Sequence, residues 1–153
     1  MSRREGVAIL FVNPEGRVLL RLRDDEPGLA FPGQWDTIGG AVESSEAPLE
    51  TAIRETSEEI GLELLEPIFW RTFESVVLLH IYAAPLDVPE AEIALTEGAG
   101  VGWFSLEAAQ ALPLHPWVAA VLPEFLASAV YRRCLEAFGS VGGETLKPPR
   151  ERP

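Results

Sequence analysis

The sequence holds few of the residues that build disulfide frameworks or thiolate metal sites. Cys134 is the single cysteine among 153 residues, and there are two histidines. One cysteine excludes a disulfide within the chain and a zinc site made of several cysteines. The fold must therefore depend on apolar residues, which make up 47% of the sequence, and the length is enough for one domain with its own core.

Basic residues are also scarce. The chain has 12 Lys and Arg against 24 Asp and Glu, which gives a net charge of −12. Proteins that bind nucleic acid along a surface neutralise its phosphates with Lys and Arg, so we expect no nucleic-acid partner. A chain this acidic can still bind a small phosphate compound when a metal cation lies between them.

Long hydrophobic runs are missing. The apolar run at residues 7–12 is short and stops at Asn13 and Pro14, unlike a secretory signal. Prolines interrupt the apolar stretch near residues 113–123, so we predict no membrane span and a cytoplasmic location. Residues 1–138 are predicted to form the domain, and residues 139–153, rich in Gly, Pro and charge, a flexible tail.

Hydrophobic patterning predicts helices among antiparallel hairpins, which indicates an α+β fold. A turn at residues 13–16 joins the first two predicted strands. In the second strand we expect Leu19, Arg21 and Arg23 to lie on the face that is more exposed to solvent. The predicted strands span residues 7–12, 17–23, 35–38, 64–73, 75–84 and 101–104, and the predicted helices span residues 48–60, 105–111 and 115–138.

The helix at residues 48–60 has the clearest signals. Pro48 suits the first helical position, and Gly61 suits the left-handed residue just past the end. Helical spacing predicts one buried stripe. Its members are Leu49, Ala52, Ile53, Thr56 and Ile60.

Three acids of this helix share one face. Glu55, Glu58 and Glu59 are spaced i, i+3, i+4, mostly away from the predicted buried stripe, so we expect them to point freely into a cleft. Oxygen ligands without His or Cys suit Mg²⁺ or Mn²⁺. Taken alone, however, an acidic helix face is more often a solvated surface.

Residues 40–62 carry a longer pattern. It reads Gly, five residues, Glu, seven residues, Arg-Glu, an aliphatic residue, any residue, Glu-Glu, any residue, Gly, an aliphatic residue. The chain resembles the Nudix hydrolases of the MutT-like kind, whose box has this pattern. Matching positions are Gly40, Glu46, Arg54, Glu55, Glu58, Glu59, Gly61 and Leu62. Thr56 departs from the family's aliphatic preference, and Ala47 replaces a common N-cap serine.

The resemblance covers most of residues 5–130 and implies a Nudix-type α/β/α sandwich with a mixed central β-sheet. It also implies metal-dependent hydrolysis of the diphosphate linkage in a nucleoside diphosphate derivative, by water attack at phosphorus. We expect a small nucleotide as the substrate, either a nucleoside triphosphate or a nucleotide sugar, and Mg²⁺ or Mn²⁺ as the cofactor. The resemblance leaves a homodimer open.

The resemblance also implies roles for individual residues. Its metal ligands are Gly39 (through its carbonyl), Glu55, Glu58, Glu59 and Glu97. Its catalytic residues are Glu55, Glu58, Arg54 and Glu97, with Glu55 or Glu97 as the base. We expect Arg54 to orient Glu55 or pair with Glu46. The candidate substrate-binding residues are Arg21, Arg23, Trp35 and Gly40, although exposed strand charges and a core tryptophan are the simpler explanations for the first three.

Two alternatives to hydrolysis remain. A catalytically silent Nudix-fold module that senses nucleotides is the first, and the intact acidic pattern weighs against it. An isomerase of the same fold is the second, but it needs a cysteine near the early strands, and Cys134 is far from them. His115 stands where MutT-type enzymes use an asparagine, which counts against that specificity.

Overall fold

A computed structural model describes residues 4–24, 33–96 and 98–139. Glu97 and residues 140–153 of the predicted tail lie outside them, so the domain boundary stays a prediction. The described residues form seven strands and four helices. In chain order these are β1 (Arg4–Val12), β2 (Val18–Leu22), β3 (Trp35–Asp36), β4 (Ile38–Ala41), α1 (Pro48–Ile60), β5 (Ile68–Glu74), β6 (Val77–Pro85), β7 (Gly100–Phe104), α2 (Leu106–Gln110), α3 (Pro116–Leu126) and α4 (Ala129–Glu136).

The strands form one mixed sheet around β1. The order is β3-β2-β1-β6-β5, with β4 also pairing with β1 and β7 with β2. β1 runs parallel to β6 over its full length, from Arg4 opposite Val77 to Val12 opposite Pro85, and antiparallel to β2 and β4. The predicted α+β fold with a mixed central sheet is confirmed.

Helices cover both faces of this sheet. Because side chains alternate along a strand, Val7, Ile9 and Phe11 of β1 pack on the side of α1. Ala8, Leu10 and Val12 pack on the opposite side, against α2, α3 and α4. The chain is therefore an α/β/α sandwich, as predicted. Within the ranges given above, every helix is too short or too polar to cross a membrane.

The solvent-exposed face that was predicted for β2 is not present at Leu19 and Arg21. Leu19 is fully buried and Arg21 is 7% exposed. β2 lies inside the sheet, between β1 and the strands β3 and β7, so neighbours and helices cover both of its sides. The alternation of charged and apolar residues thus reflects a buried charge at Arg21, not a solvated surface.

The predicted last helix at residues 115–138 is two helices. α3 ends at Leu126, and Ser128 begins α4 by accepting a hydrogen bond from Tyr131 N at 3.1 Å. The Tyr131 hydroxyl in turn donates to the carbonyl oxygen of Gly16 at 2.7 Å. Gly16 has φ +80° in the β1–β2 turn, a conformation that favours glycine, so α4 fixes the turn between the first two strands.

Candidate active site

Helix α1 has the predicted bounds. Pro48 occupies its first turn, and Gly61 ends it with φ +68° while donating its N–H to Ser57 O at 3.0 Å. Ala47 makes no side-chain capping hydrogen bond, because alanine has no polar atom in its side chain. Its own N–H donates to Glu50 Oε1 at 2.8 Å, so Glu50 supplies the capping interaction from within the first turn.

The buried side of α1 is rotated from the predicted stripe. Leu49 and Ile53 are 42% and 45% exposed, so that part of the prediction is wrong. The buried positions are Thr51, Ala52, Thr56, Glu59 and Ile60. The helix presents polar residues on the sheet side because Thr51 and Thr56 satisfy their hydroxyls locally, through Glu46 Oε1 and Ala52 O.

The three acids of α1 differ in their exposure. Glu58 is 56% exposed, the Glu55 side chain is 14% exposed, and Glu59 is 2% exposed. The expectation that all three point freely into a cleft is therefore wrong for Glu59. Its position near the sheet-facing side of α1 places a carboxyl group in the interior, where it needs partners.

Glu59 has partners on its own helix and on two neighbouring strands. Its carboxyl group is hydrogen-bonded to that of Glu55, and its Oε1 lies 3.4 Å from both Gly39 N and Arg21 Nε. Burial, together with a hydrogen bond to Glu55, raises the pKa of Glu59 to about 9 against the opposing charge of Arg21. The Glu59 carboxyl group is therefore protonated at neutral pH.

Arg54 connects the acids to the loop that precedes α1. Its Nε and Nη2 donate to the two oxygens of Glu46 at 2.7 and 3.0 Å, and its Nη1 donates to Glu55 at 3.1 Å and Glu58 at 3.2 Å. Nη2 also donates to Ala41 O at 3.2 Å. Both pairings predicted for Arg54 are present. The Arg54 guanidinium, with help from Thr51, lowers the pKa of Glu46 to about 2.

Two glycines of β4 lie against the acids for different reasons. A Cβ on Gly40 would lie 3.0 Å from Glu55 Oε1 and closer still to Cδ and Oε2. A Cβ on Gly39 would instead meet the backbone of β1, 3.0 Å from Ala8 Cα and closer to Val7 O. Gly40 therefore makes room for a catalytic candidate, and Gly39 makes room for strand pairing.

The carboxylate oxygens of these acids are suitable ligands for a hard cation. However, the three side chains are not arranged around one point. Their oxygens are of the type that Mg²⁺ and Mn²⁺ prefer, and the space without a side chain at Gly40 lies against Glu55. In the part of the chain that the structure describes, no group of three His, Cys, Asp or Glu side chains is arranged to hold a metal ion. Arg54 holds Glu58 on one side of Glu55 while Glu59 lies on the other.

Glu97 falls outside the described residues, and its predicted role stays a prediction. The residue before it is bonded to the acidic helix. Thr96 N donates to Glu59 O at 2.9 Å, and its hydroxyl donates to Glu58 O. These bonds satisfy carbonyl groups of the last turn of α1, which have no partner within the helix.

A cavity of about 660 Å³ opens beside β4, within the size range of small-molecule sites. Arg21, Arg23, Gly39 and Gly40 line it. Glu55 lies against Gly40 and Glu59 against Arg21, although neither acid is itself a lining residue. Trp35 does not line this cavity. It packs edge-on against Phe104 at 5.1 Å between ring centroids, in the core beneath α3, because β3 directs its ring to that side.

The lining of the cavity also includes Asp36, an acid that sequence reasoning did not single out. Asp36 Oδ1 accepts hydrogen bonds from Thr37 N at 2.7 Å and Trp117 Nε1 at 3.1 Å. His115 begins α3 by accepting from Trp117 N at 3.3 Å, and burial lowers the pKa of its imidazole. The signal in the sequence was a charged residue inside a strand next to a tryptophan.

A mixed sheet between helices, with an arginine-linked acidic helix beside a glycine pair, is the arrangement that the resemblance implies. The chain belongs to the Nudix family, since the NUDIX domain model matches residues 2–125. The match includes the sheet strands, α1 and most of α3, and therefore every described residue of the site.

Curated relatives match over shorter stretches. The nucleoside triphosphatase NudI of Escherichia coli O139:H28 is 42% identical over 85 residues, 54% of this chain and 58% of that protein. An RNA pyrophosphohydrolase of Gluconacetobacter diazotrophicus is 36% identical over 63 residues, 39% of this chain and 38% of that protein. The chain thus spans less than two thirds of the length of these relatives.

Solved structures of the same fold match over most of the chain. The E. coli ORF135 protein is 27% identical with a TM-score of 0.68, covering 83% of this chain and 91% of that one. The Nudix hydrolase RenU of M. smegmatis is 26% identical with a TM-score of 0.65, covering 80% and 83%. A MutT protein of Methanosarcina mazei, 24% identical with a TM-score of 0.68 and covering 80% and 91%, shares the fold.

Proposed function

We propose that the chain hydrolyses the diphosphate linkage of a nucleoside diphosphate derivative, a nucleoside triphosphate or a nucleotide sugar, by water attack at phosphorus. One observation carries the proposal: Gly40 and Arg21 each touch both the cavity and the acids of α1. A phosphate chain entering the cavity would therefore meet Gly40 and Arg21, which lie against Glu55 and Glu59. Relatives named as a nucleoside triphosphatase and a pyrophosphohydrolase support this class of reaction.

Mg²⁺ or Mn²⁺ is the cofactor that the donor set fits. Glu58 and Glu59 would hold it, with Glu55, the Gly39 carbonyl and Glu97 as the further candidates. A divalent cation in this place neutralises the diphosphate and lowers the pKa of a bound water. The adjacency of Glu55 and Glu59 supports this assignment, because a divalent cation would offset the repulsion between the two ionised carboxylates.

The chain's own residues have separable tasks. Arg54 uses its donors on Glu46, Glu55, Glu58 and a backbone carbonyl, so it orients the acids and we assign it a positioning role. Glu55, fixed by Arg54, takes the proton of the attacking water or serves as a ligand. Arg21 and Arg23 line the cavity, and we expect their guanidinium groups to donate N–H bonds to phosphate oxygens.

A screen for the nucleotide products of hydrolysis tests the proposal. Nucleoside triphosphates, nucleotide sugars, ADP-ribose and dinucleoside polyphosphates are incubated with Mg²⁺, with Mn²⁺ and with a chelator. We expect turnover of one class that stops in the chelator. Turnover that persists in the chelator would contradict the assigned chemistry, and tight nucleotide binding without any turnover would favour the sensing module.

The variant Glu58→Gln tests the site itself. Loss of a ligand charge is expected to lower kcat by about 10² or more while the fold is retained. Glu50→Gln is the matched control, because it removes one charge from the same helix but keeps the oxygen that caps Ala47. Equal rates for the two variants would refute the site. The cytoplasmic location, the absence of a nucleic-acid partner and a homodimer stay predictions.

A further inference from the structure

The last turn of α1 is held by a residue from outside the helix. Thr96 donates its N–H to Glu59 O at 2.9 Å, and its hydroxyl donates to Glu58 O and, at 3.2 Å, to Glu59 O. We propose that Thr96 is a positioning residue for the acids, because it holds the turn that carries Glu58 and Glu59 in a fixed place relative to Arg21. The inference rests on the proposed function, in which these acids act together on one substrate.

The end of α1 needs such a partner. The last carbonyl groups of a helix have no donor within it, and helix ends fray for this reason. α1 ends at Ile60, and Gly61 N donates to Ser57 O. The next two carbonyl groups are those of Glu58 and Glu59, and Thr96 supplies donors to both. Two of the three acids therefore stand on a turn that Thr96 stabilises.

Glu58 depends on this backbone contact most. Its side chain is 56% exposed and accepts a hydrogen bond from Arg54 Nη1 at 3.2 Å, whereas Glu59 is 2% exposed. An ion pair at the surface contributes little by itself to holding a side chain in place. The position of Glu58 is therefore set by its backbone, whose carbonyl oxygen accepts the hydrogen bond from the Thr96 hydroxyl.

The chain is fixed to the sheet again at residues 98 and 99. Ala99 N donates to Leu22 O at 2.9 Å, next to the point where β7 begins to pair with β2. Gly98, with φ +104°, lies so close to β2 that a Cβ there would be 2.8 Å from Leu22 O. One short stretch of chain thus has a bond to α1 at Thr96 and a bond to β2 at Ala99, which together hold the two elements at a set separation.

β2 is the strand that carries Arg21. Arg21 lines the cavity, and its Nε lies 3.4 Å from Glu59 Oε1. This contact is longer than an ordinary hydrogen bond, and among the described residues the buried Nε has no hydrogen-bond partner. So loose a contact does not by itself fix α1 against β2. The bonds of Thr96 supply the constraint that the pair of Arg21 and Glu59 lacks.

Thr96→Val tests the inference, because it removes the hydroxyl group and keeps the shape of the side chain. Calorimetry measures the affinity for Mn²⁺ alone, without a nucleotide. Residues that orient metal ligands contribute about 10- to 100-fold to metal affinity, so we expect a loss of about 10-fold or more. Thr96→Ser keeps the hydroxyl group and should restore the wild-type affinity within about threefold. Thr72→Val makes the same change on β5 and should leave the affinity unaltered.

A double variant separates positioning from general stabilisation. If Thr96 acts through Glu58, Thr96→Val should lower the Mn²⁺ affinity of Glu58→Gln by less than about threefold, because the ligand that it positions is already impaired. Losses that multiply in the double variant would show that the two residues act independently, and they would overturn the inference. A wild-type Mn²⁺ affinity in either single variant would overturn it as well.

The outcomes separate this inference from the proposed function. Hydrolysis by the wild type, together with an unchanged Mn²⁺ affinity in Thr96→Val, overturns the inference and leaves the function standing. A coupled loss of Mn²⁺ affinity supports the inference even where no substrate is hydrolysed, and a wild type that does not bind Mn²⁺ overturns it whatever the screen shows. Should Thr96→Val not fold, Thr96→Ala removes the same hydroxyl group and decides in its place.

Discussion

Replacing Gly40 by alanine should separate catalysis from stability. The new Cβ would lie 3.0 Å or less from three atoms of the Glu55 carboxyl group, against an ordinary contact of 3.4–4 Å. The carboxyl group is the far end of a flexible side chain, so it can move away by about 1 Å. A misplacement of that size costs on the order of 10² in rate when geometry is critical. The free energy of unfolding should change by less than about 1 kcal/mol.

Gly39→Ala is the matched control, one residue away on the same strand. Its Cβ would collide with backbone atoms of Val7 and Ala8, which cannot move without breaking the β1–β4 pairing. We expect a loss of about 1–3 kcal/mol in the free energy of unfolding. The two variants add the same methyl group, so their contrast reports only what each methyl meets.

The assay combines urea unfolding with the rate of hydrolysis of the best substrate from the screen. Gly40→Ala should show a wild-type unfolding midpoint and a rate reduced by about 10². Should Gly40→Ala keep the wild-type rate, the position of the Glu55 carboxyl group would be irrelevant to catalysis. A lowered midpoint for Gly40→Ala, as large as that of Gly39→Ala, would show that the space at Gly40 serves packing instead.

Two further predictions concern pH. The folded chain keeps a proton on Glu59 up to a pKa of about 9, while the unfolded chain releases it near 4.5, so stability falls as pH rises between these values. Glu59→Gln should therefore melt above the wild type at about pH 8 in a chelator, and an equal or lower melting temperature would contradict the assignment. The pKa of Glu46 is lowered from 4.5 to about 2, so its contribution is lost as pH falls through that interval. Arg54→Met should flatten the acid side of the stability profile, and a profile that keeps the wild-type slope would rule out the Arg54–Glu46 pair as its cause.

Residues that start and stop helices made some elements predictable. α1 begins at Pro48 and ends before Gly61, as each residue's backbone preference requires. The acids of its box likewise lie next to Arg54 because helical spacing fixes neighbours at i+1 and i+4. These features depend on residues close in sequence, so the sequence alone contains the information for them.

Features that depend on which elements meet in space were harder to predict. The rotation of α1 about its axis, which exposes Leu49 and buries Glu59, follows from its packing over β4 and β1. Arg21 is buried because β7, a strand much later in the sequence, pairs with β2. Asp36 accepts a hydrogen bond from Trp117, a residue of the other helical layer. A charge pattern on one strand gives no information about partners so distant.

The placement of β1 has a consequence for how the chain is made. β1 is synthesised before β6, the parallel strand that pairs with it along its whole length and that begins at Val77. The turn at Gly16 is likewise synthesised before Tyr131, whose hydroxyl group donates a hydrogen bond to it. Contacts this distant in sequence slow folding and leave apolar strands uncovered meanwhile. Until β6 has been synthesised, the apolar side chains of β1 therefore lack the strand that pairs with β1 along its whole length.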